Sequence, residues 1–461
     1  MRASWFTISK SICNGVAALP SPYPLPQAGE GKACKRERES QQAGERKACE
    51  REGRTQGNPR IRGSRAKREC SASAAIYQAV RFPSLAERPP QLAAGLADFL
   101  HRSGYFMRAR PLYAALSLVL ASGFAHASGT FIPIDTGGLT LGKVSANGEY
   151  AVGTTFSGEG FRWTTSTATG EVLPGLDTAL GVNNAGTVSG AVPENGGVNN
   201  GGRDLGAFQP VGADPVQLTA PLQTNSNGYD VADDGTVVGL SFGDNFVGPA
   251  VAFAWTEAEG MTALPVNRPD TYSRANVISA DGHVIAGWND QEDGFRTAVV
   301  WKDRVPTDVV DRDGLAVGEA DGISIDGTFV VGSSYTDING DSGSWRWNSS
   351  SNTMIMIPLM TFAFGVTANG NTIVGNTGFF DDPPRAAVIW RKDVGSMMLA
   401  DYLAEQNIAV PDGWDLSGGL TGISADGRTI VGWGTGPLGA QSYVIRIDPP
   451  DAVFADGFDA P

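Results

Sequence analysis

Residues 337–343 read Asp-Ile-Asn-Gly-Asp-Ser-Gly, so Asp337, Asn339 and Asp341 set oxygen-bearing side chains at alternate positions. Oxygen donors at that spacing are what a calcium loop needs. The rest of the pattern is missing: Ser342 stands at the sixth position, where glycine makes the sharp turn, Trp345 at the ninth, and Asn348 at the twelfth, where glutamate closes the shell. A polar turn is the default reading, and Ca2+ is the sole cofactor the sequence suggests. The acidic stretches Asp290–Asp293, Asp311–Asp313 and Asp381-Asp382 read as solvated loop tips. Glycoside chemistry needs two carboxyls about 5–9 Å apart across a sugar, and spacing along the chain does not show that. Trp288 and Trp433 follow strand-closing glycines and are the aromatics placed to stack on a sugar, against the general rule that large aromatics pack first. His283 begins a strand just after a turn and reads as a surface residue.

The missing residue types narrow the chemistry. All four cysteines (Cys13, Cys34, Cys49, Cys70) precede Ala127, and of the three histidines only His283 follows it. The larger part of the chain therefore has no disulfide, thiolate metal site or cysteine nucleophile, and a single imidazole. Charge divides at the same place, with 20 of the 35 Lys and Arg before residue 128 and 40 of the 49 Asp and Glu after it. A strongly acidic body argues against nucleic acid, which needs a basic surface to displace counterions.

What positions these residues is a repeat. One pattern recurs seven times: an apolar residue, a small polar one, any residue, Asp or Asn (once Ala), Gly, then a short run ending in another Gly. The copies include VSANGEYAVG (144–153), ISADGHVIAG (278–287) and ISADGRTIVG (423–432). The marker glycines are Gly148, Gly186, Gly235, Gly282, Gly327, Gly370 and Gly427, at spacings of 38, 49, 47, 45, 43 and 57 residues. That is the length of a four-stranded propeller blade. Asn-Gly or Asp-Gly between β-branched runs predicts a hairpin with positive φ at both central turn residues. The closing glycine (Gly153, Gly239, Gly332, Gly432) predicts close backbone approach near the axis, or a bulge. A third strand ending in an aromatic follows (FRW 161–163, AFAW 252–255, AVVW 298–301, SWRW 344–347, AVIW 387–390), then a short Leu/Pro-flavoured fourth. The tryptophans Trp163, Trp255, Trp301, Trp347 and Trp390 read as core between blades.

The last copy ends at Ile447 without a fourth strand, whereas Phe131-Ile132-Pro133-Ile134 has fourth-strand character and precedes the first hairpin. The expectation is an all-β, seven-bladed propeller over residues 130–448, closed by its N-terminal strand, which removes the open edges of a linear array. The 57-residue spacing contains Met397, Met398, Leu399, Tyr402 and Leu403, placed like one face of a short helix that caps the ring or serves as a partner-binding flap.

Residues 107–127 (MRARPLYAALSLVLASGFAHA) have a basic start, a short apolar run and an Ala-x-Ala end, the form of a secretory signal cleaved near Ala127. The apolar run is too short to span a bilayer. Met107 then reads as the true start, and residues 1–106, rich in Arg, Pro and Gly without hydrophobic period, as a disordered or over-extended leader; a basic arm is the other reading. Residues 449–461 read as a C-terminal tail outside the ring.

The hairpin with its I-S/N-x-D/A-G-x-x-V-G core, followed by an A-F-x-W strand, resembles the HAF-type extracellular repeat family over roughly residues 130–448. The family's usual His-Ala-Phe start to the third strand appears here only as Ala252-Phe253 and Ala207-Phe208. The resemblance implies secretion and a propeller-like array, and supplies no catalytic residues. Sialidase-type propellers carry an S-x-D-x-G-x-T-W box, against which Gly427 stands one position early and the Trp is absent; Tol-type propellers carry an S-P-D-G-x-x-I-A motif, which ISADGRTIVG matches apart from the proline, and both leave the architecture unchanged. The functional expectation is a secreted binding or structural module, without catalysis, whose partner is a glycan or a cell-envelope protein. The alternative is a hydrolase or lyase acting on a glycan through Asp and Glu, distinguished by several carboxylates converging at the central channel.

Overall fold

The computed structural model describes residues 129–134, 138–244, 247–334, 343–378 and 385–449. Asp337, Asn339, Asp341, Asp381-Asp382, the leader, the signal segment and residues 450–461 lie outside them.

The marker turns show how the repeat makes a blade. In the last copy Gly427 N–H donates to Ser424 O (3.0 Å), so the turn runs Ser424-Ala425-Asp426-Gly427. Ser424 Oγ bonds Asp426 Oδ1 (2.6 Å), which also accepts from Arg428 N (3.0 Å), while Thr429 N donates to Ser424 Oγ (2.9 Å). The Ser and Asp side chains thus satisfy the turn's own backbone. This corrects the expected hairpin geometry. The central pair is Ala-Asp rather than Asp-Gly, Asp426 keeps an ordinary φ, and only Gly427 enters the left-handed region (φ 78°). All seven marker glycines have positive φ.

Seven four-stranded antiparallel sheets result. They span residues 139–173, 178–217, 225–263, 273–308, 319–357 and 362–398 (blades 1–6), with blade 7 made from 415–447 plus Gly129–Pro133. Each blade's first strand is innermost and carries a bulge, and the closing glycine pairs with the residue just before it, as in Gly153↔Leu141 and Gly190↔Ala179. A Cβ on Gly190 would sit 1.8 Å from Thr178 O. Bulge and close approach, expected as alternatives, are one device.

Seven apolar clusters lie between adjacent blades, including the seam of blade 7 with blade 1. The five third-strand tryptophans belong to them, between 0% exposed (Trp301) and 7% (Trp390). The N-terminal strand pairs with the last one from Gly129↔Ile447 to Pro133↔Tyr443. Phe131 packs on Tyr443 (4.8 Å between ring centroids) and edge-on to Trp414 (5.2 Å). Ser442 Oγ accepts from Leu141 N (2.8 Å) and donates to Leu139 O (2.9 Å), tying blade 7 to blade 1.

The predicted helix is shorter than expected. Met397 and Met398 continue the outer strand of blade 6 (Gly395–Met398), because Gly395 at φ 93° turns the chain back into register, Val388↔Met398. The helix, α1, is Leu399–Glu405, with Leu399, Tyr402 and Leu403 buried in the cluster that holds Phe131 and Tyr443. It packs into the seam of blades 6 and 7. Among the described residues no helix is long and apolar enough to cross a membrane.

Candidate functional site: the central channel

The inner strands line the axis, and their repeat supplies its own comparison. The last inner-strand residue is aliphatic in every blade: Val144, Val182, Val231, Ile278, Ile323, Val366 and Ile423. The residue before it is glycine in four blades (Gly181, Gly322, Gly365, Gly422), but Lys143, Asp230 and Val277 in blades 1, 3 and 4. The bulged residue before that is Tyr229, Asn276 and Asp321 in blades 3, 4 and 5. Polar departures from the repeat are densest in blades 3, 4 and 5, with Lys143 of blade 1 and Thr421 of blade 7 across from them.

Lys143 reaches from blade 1 past blade 2 to blades 3 and 4. Its Nζ donates to Asn276 O (2.9 Å) and Tyr229 O (3.0 Å) and pairs with Asp230 Oδ2 at 3.2 Å. Asp230 Oδ2 also accepts from Ile278 N (3.1 Å). Burial pushes the Asp230 carboxyl up and the Lys143 ammonium down, and each partner's charge opposes the shift. The side chain crosses the channel and forms a floor.

Beside this floor, Glu319 Oε2 accepts from Arg296 Nη1 (2.7 Å) and Arg274 Nη2 (3.2 Å). Arg274 also donates to Asn276 Oδ1 (2.5 Å), and Asn276 Nδ2 to Ala320 O (2.8 Å). Asp321 accepts from Ser333 Oγ (2.8 Å), and burial together with the Glu319 charge holds its carboxyl well above the usual range. Asp290, expected as a solvated tip, ends the second strand of blade 4 and is 8% exposed. Burial pushes it up to about 6, with Arg296 drawing it down and Glu319 up. Glu292, Asp293 and Asp313 are exposed as expected, whereas Asp311 is half-buried and accepts from Asp313 N and Leu315 N of its own turn.

From the floor toward the hairpin turns, the channel is a funnel of about 100 Å³ walled by the seven aliphatics, with Phe364 and Thr421 at its base. Bonds between turns stitch its rim: Asp233 N to Ala280 O (2.9 Å), Ala280 N to Ile325 O (3.0 Å) and Ala425 N to Ala146 O (2.8 Å). Asn184 N donates to Asp233 Oδ1 (2.8 Å), and Asn147 N to Asn184 Oδ1 (2.7 Å). An adjoining hollow on the rim is lined by Asp233, Asp234, Asp281, Asp326, Ala280 and Ile325.

The residues singled out from sequence sit elsewhere. Trp288 is 3% exposed, with the Arg296 guanidinium 4.3 Å and that of Arg274 5.4 Å from its ring. Trp433 is half-buried beside Arg385 (5.4 Å). His283 is exposed and pairs with Asp303 at 3.0 Å. Among the described residues no three His, Cys, Asp or Glu side chains gather as a metal site. Lys143, Asp230, Arg274, Glu319 and Asp321 were missed. For Lys143 and Asp230 the signal was the column just before the motif's first apolar residue, where glycine gives way to charge; Arg274, Glu319 and Asp321 lie earlier on their inner strands, outside that column.

No protein-family model and no curated protein matches the chain. Among solved structures it is similar to TolB from Acinetobacter baumannii, at 13% identity over 47% of this chain and 53% of that one, with a TM-score of 0.37. It is also similar to a putative TolB from Agrobacterium tumefaciens, at 14% identity over 68% and 90% of the two chains, with a TM-score of 0.36. The chain spans about half the length of the first. These values carry no argument about activity. Sheet order and register define the class by themselves: a seven-bladed β-propeller of four-stranded blades, closed by its N-terminal strand.

Proposed function

We propose that this propeller is a secreted binding module of the HAF-repeat type, whose ligand enters the channel from the face that carries the hairpin turns. The observation that carries the reading is the funnel, open toward the turns and floored by Lys143 and Asp230. Binding sites are concave, largely apolar and edged with a few polar groups. The signal segment at 107–127 supports secretion, and a glycan or a cell-envelope protein is the partner class. Calcium at Asp337, Asn339 and Asp341, and ligand contact by Trp288 or Trp433, are secondary proposals. Thermal-shift screening of oligosaccharides and peptides tests the reading, run on the wild type and on Val366→Trp, which fills the funnel. Ligands that stabilise the wild type and not the variant support it; equal stabilisation of both places the site elsewhere.

A hydrolase reading has one observation in its favour: the Asp321 carboxyl, raised by burial and by the Glu319 charge, lies beside a second carboxyl, as an acid and base would be arranged. Against it, Lys143 engages Asp230, and Arg274 and Arg296 engage Glu319. Glycan hydrolysis that disappears in Asp321→Asn with the fold intact would replace the binding reading.

A further inference from the structure

We propose that the turn-face funnel docks a linear segment of a partner protein in which one aliphatic side chain is flanked by lysine or arginine. The inference rests on the channel reading above and adds the chemistry of the occupant.

The funnel sets the central residue. Its wall carries a ring of seven valines and isoleucines, interrupted by Asn183, Asn184 and Thr421, and its volume of about 100 Å³ admits one branched aliphatic chain. Nothing deeper rewards a polar head: the three protons of Lys143 are taken by Asp230 and two carbonyls, and Asp230 is held by Lys143 and Ile278 N. Burying an unpaired polar group there would cost more than it returns, whereas an aliphatic group gains about 25 cal/mol per Å² removed from water.

The rim sets the neighbours. The hollow beside the funnel carries four aspartates from the turns of blades 3, 4 and 5, and no cation lines it. Asp234, Asp281 and Asp326 bond their own turns, and Asp233 accepts from Asn184 N of the neighbouring blade 2 turn, which fixes the four carboxylates in position. Ile325 and Ala280 lie among them, and Ile325 is 36% exposed, apolar ground for the alkyl stem of a lysine or arginine whose head meets the carboxylates. Such a field speeds the encounter with cations and weakens with salt. The stitched rim presents it rigidly, so little ordering is needed on this side of the complex.

Fluorescence anisotropy with dye-labelled Gly-Lys-Leu-Lys-Gly tests the proposal on the full chain, at about 20 and 300 mM salt. Wild type should bind, with affinity falling at least about fivefold between the two salts. Replacing the peptide's leucine by serine should weaken binding about tenfold or more. Ile325→Lys should abolish binding, and Asp281→Asn/Asp326→Asn should weaken it several-fold and flatten the salt dependence, with unchanged thermal melting in both. Unchanged affinity in these variants, or no binding by wild type, overturns the proposal. Two results separate it from the reading beneath it. If the serine peptide binds as well as the leucine peptide, the funnel is not the site and both fall. If a Gly-Ser-Leu-Ser-Gly peptide binds and loses binding on Ile325→Lys while the lysine peptide does not bind, the funnel stands and the basic segment falls.

Discussion

Replacing Lys143 by methionine removes a side chain that crosses the channel, and the structure sets both the size and the pH dependence of the loss. The variant leaves Tyr229 O and Asn276 O without a donor and Asp230 without its cation. Breaking a buried pair by removing one partner costs about 3–5 kcal/mol. Asp230 keeps its bond from Ile278 N, and with 11% of its side chain exposed it retains some solvent, so about 3 kcal/mol is expected at pH 8. The sign with pH follows from Asp230. Its folded carboxyl already lies above the usual range through burial, and losing Lys143 raises it further. A raised carboxyl means the folded state holds the extra proton, so stability falls as pH rises through the folded value. The variant should therefore lose less stability at pH 5 than at pH 8. Urea unfolding followed by tryptophan fluorescence at the two pH values measures both quantities. In Lys143→Met/Asp230→Asn the charge is gone, and about half or more of the loss should return at pH 8. A loss below about 1 kcal/mol at pH 8, or one independent of pH, would refute the cross-channel pair.

Four further outcomes are expected. Phe131→Ala, which empties the contact with Tyr443 and Trp414, should cost about 3–5 kcal/mol by urea unfolding, and deleting residues 130–135 should abolish cooperative melting. Gly190→Ala drives a Cβ into Thr178 O and should lower stability by more than about 3 kcal/mol, while Gly235→Ala, with open space but φ 88°, should cost about 1 kcal/mol. Asp290→Asn removes a carboxyl raised to about 6, so in thermal melts it should gain on the wild type by about 1–2 kcal/mol as pH rises from 5 to 8; no change in the difference would remove Asp290 from the charged network. Intact mass and N-terminal sequencing of protein from the medium of the native host should show a start at Ser128, and a cellular product retaining Met1 would end the secretion proposal.

The fold was legible because its signals are local and repeated. A Ser-x-Asp-Gly turn closes on its own side chains, and a glycine thirty to sixty residues later announces the next blade whatever lies between. Ring closure was legible at Phe131-Ile132-Pro133-Ile134 for a negative reason, the fourth strand missing after Ile447. The errors lie where neighbours decide. Met397 and Met398 share a helical spacing with Leu399, yet pairing with Val388 and Ile389 holds them in a strand. Asp290 looks like a loop tip until Arg296 is seen directly across from it. The channel residues were hidden for another reason: Lys143 and Asp230 lie 87 positions apart, and no local pattern links a residue of blade 1 to one of blade 3.

That separation bears on where function sits in a molecule built by repetition. Seven glycine-lined inner strands would leave an open and nearly symmetric channel, with equal claims for every blade. Lys143 breaks the symmetry by closing the bore, and Asp230, Asn276 and Tyr229 O receive it on the side of blades 3 and 4. On that same side the turns turn acidic, with Asp233, Asp234, Asp281 and Asp326 around Ile325. The turn motif alone does not require this, since Asn147 and Asn369 bond their turns as Asp281 and Asp326 do. The negative charge is thus free to be absent, as it is in blades 1, 2 and 6; in blade 7 Asp426 has Arg428 at 3.9 Å, whereas no cation lines the hollow of blades 3, 4 and 5, and it is this uncompensated charge that the proposed basic segment would meet.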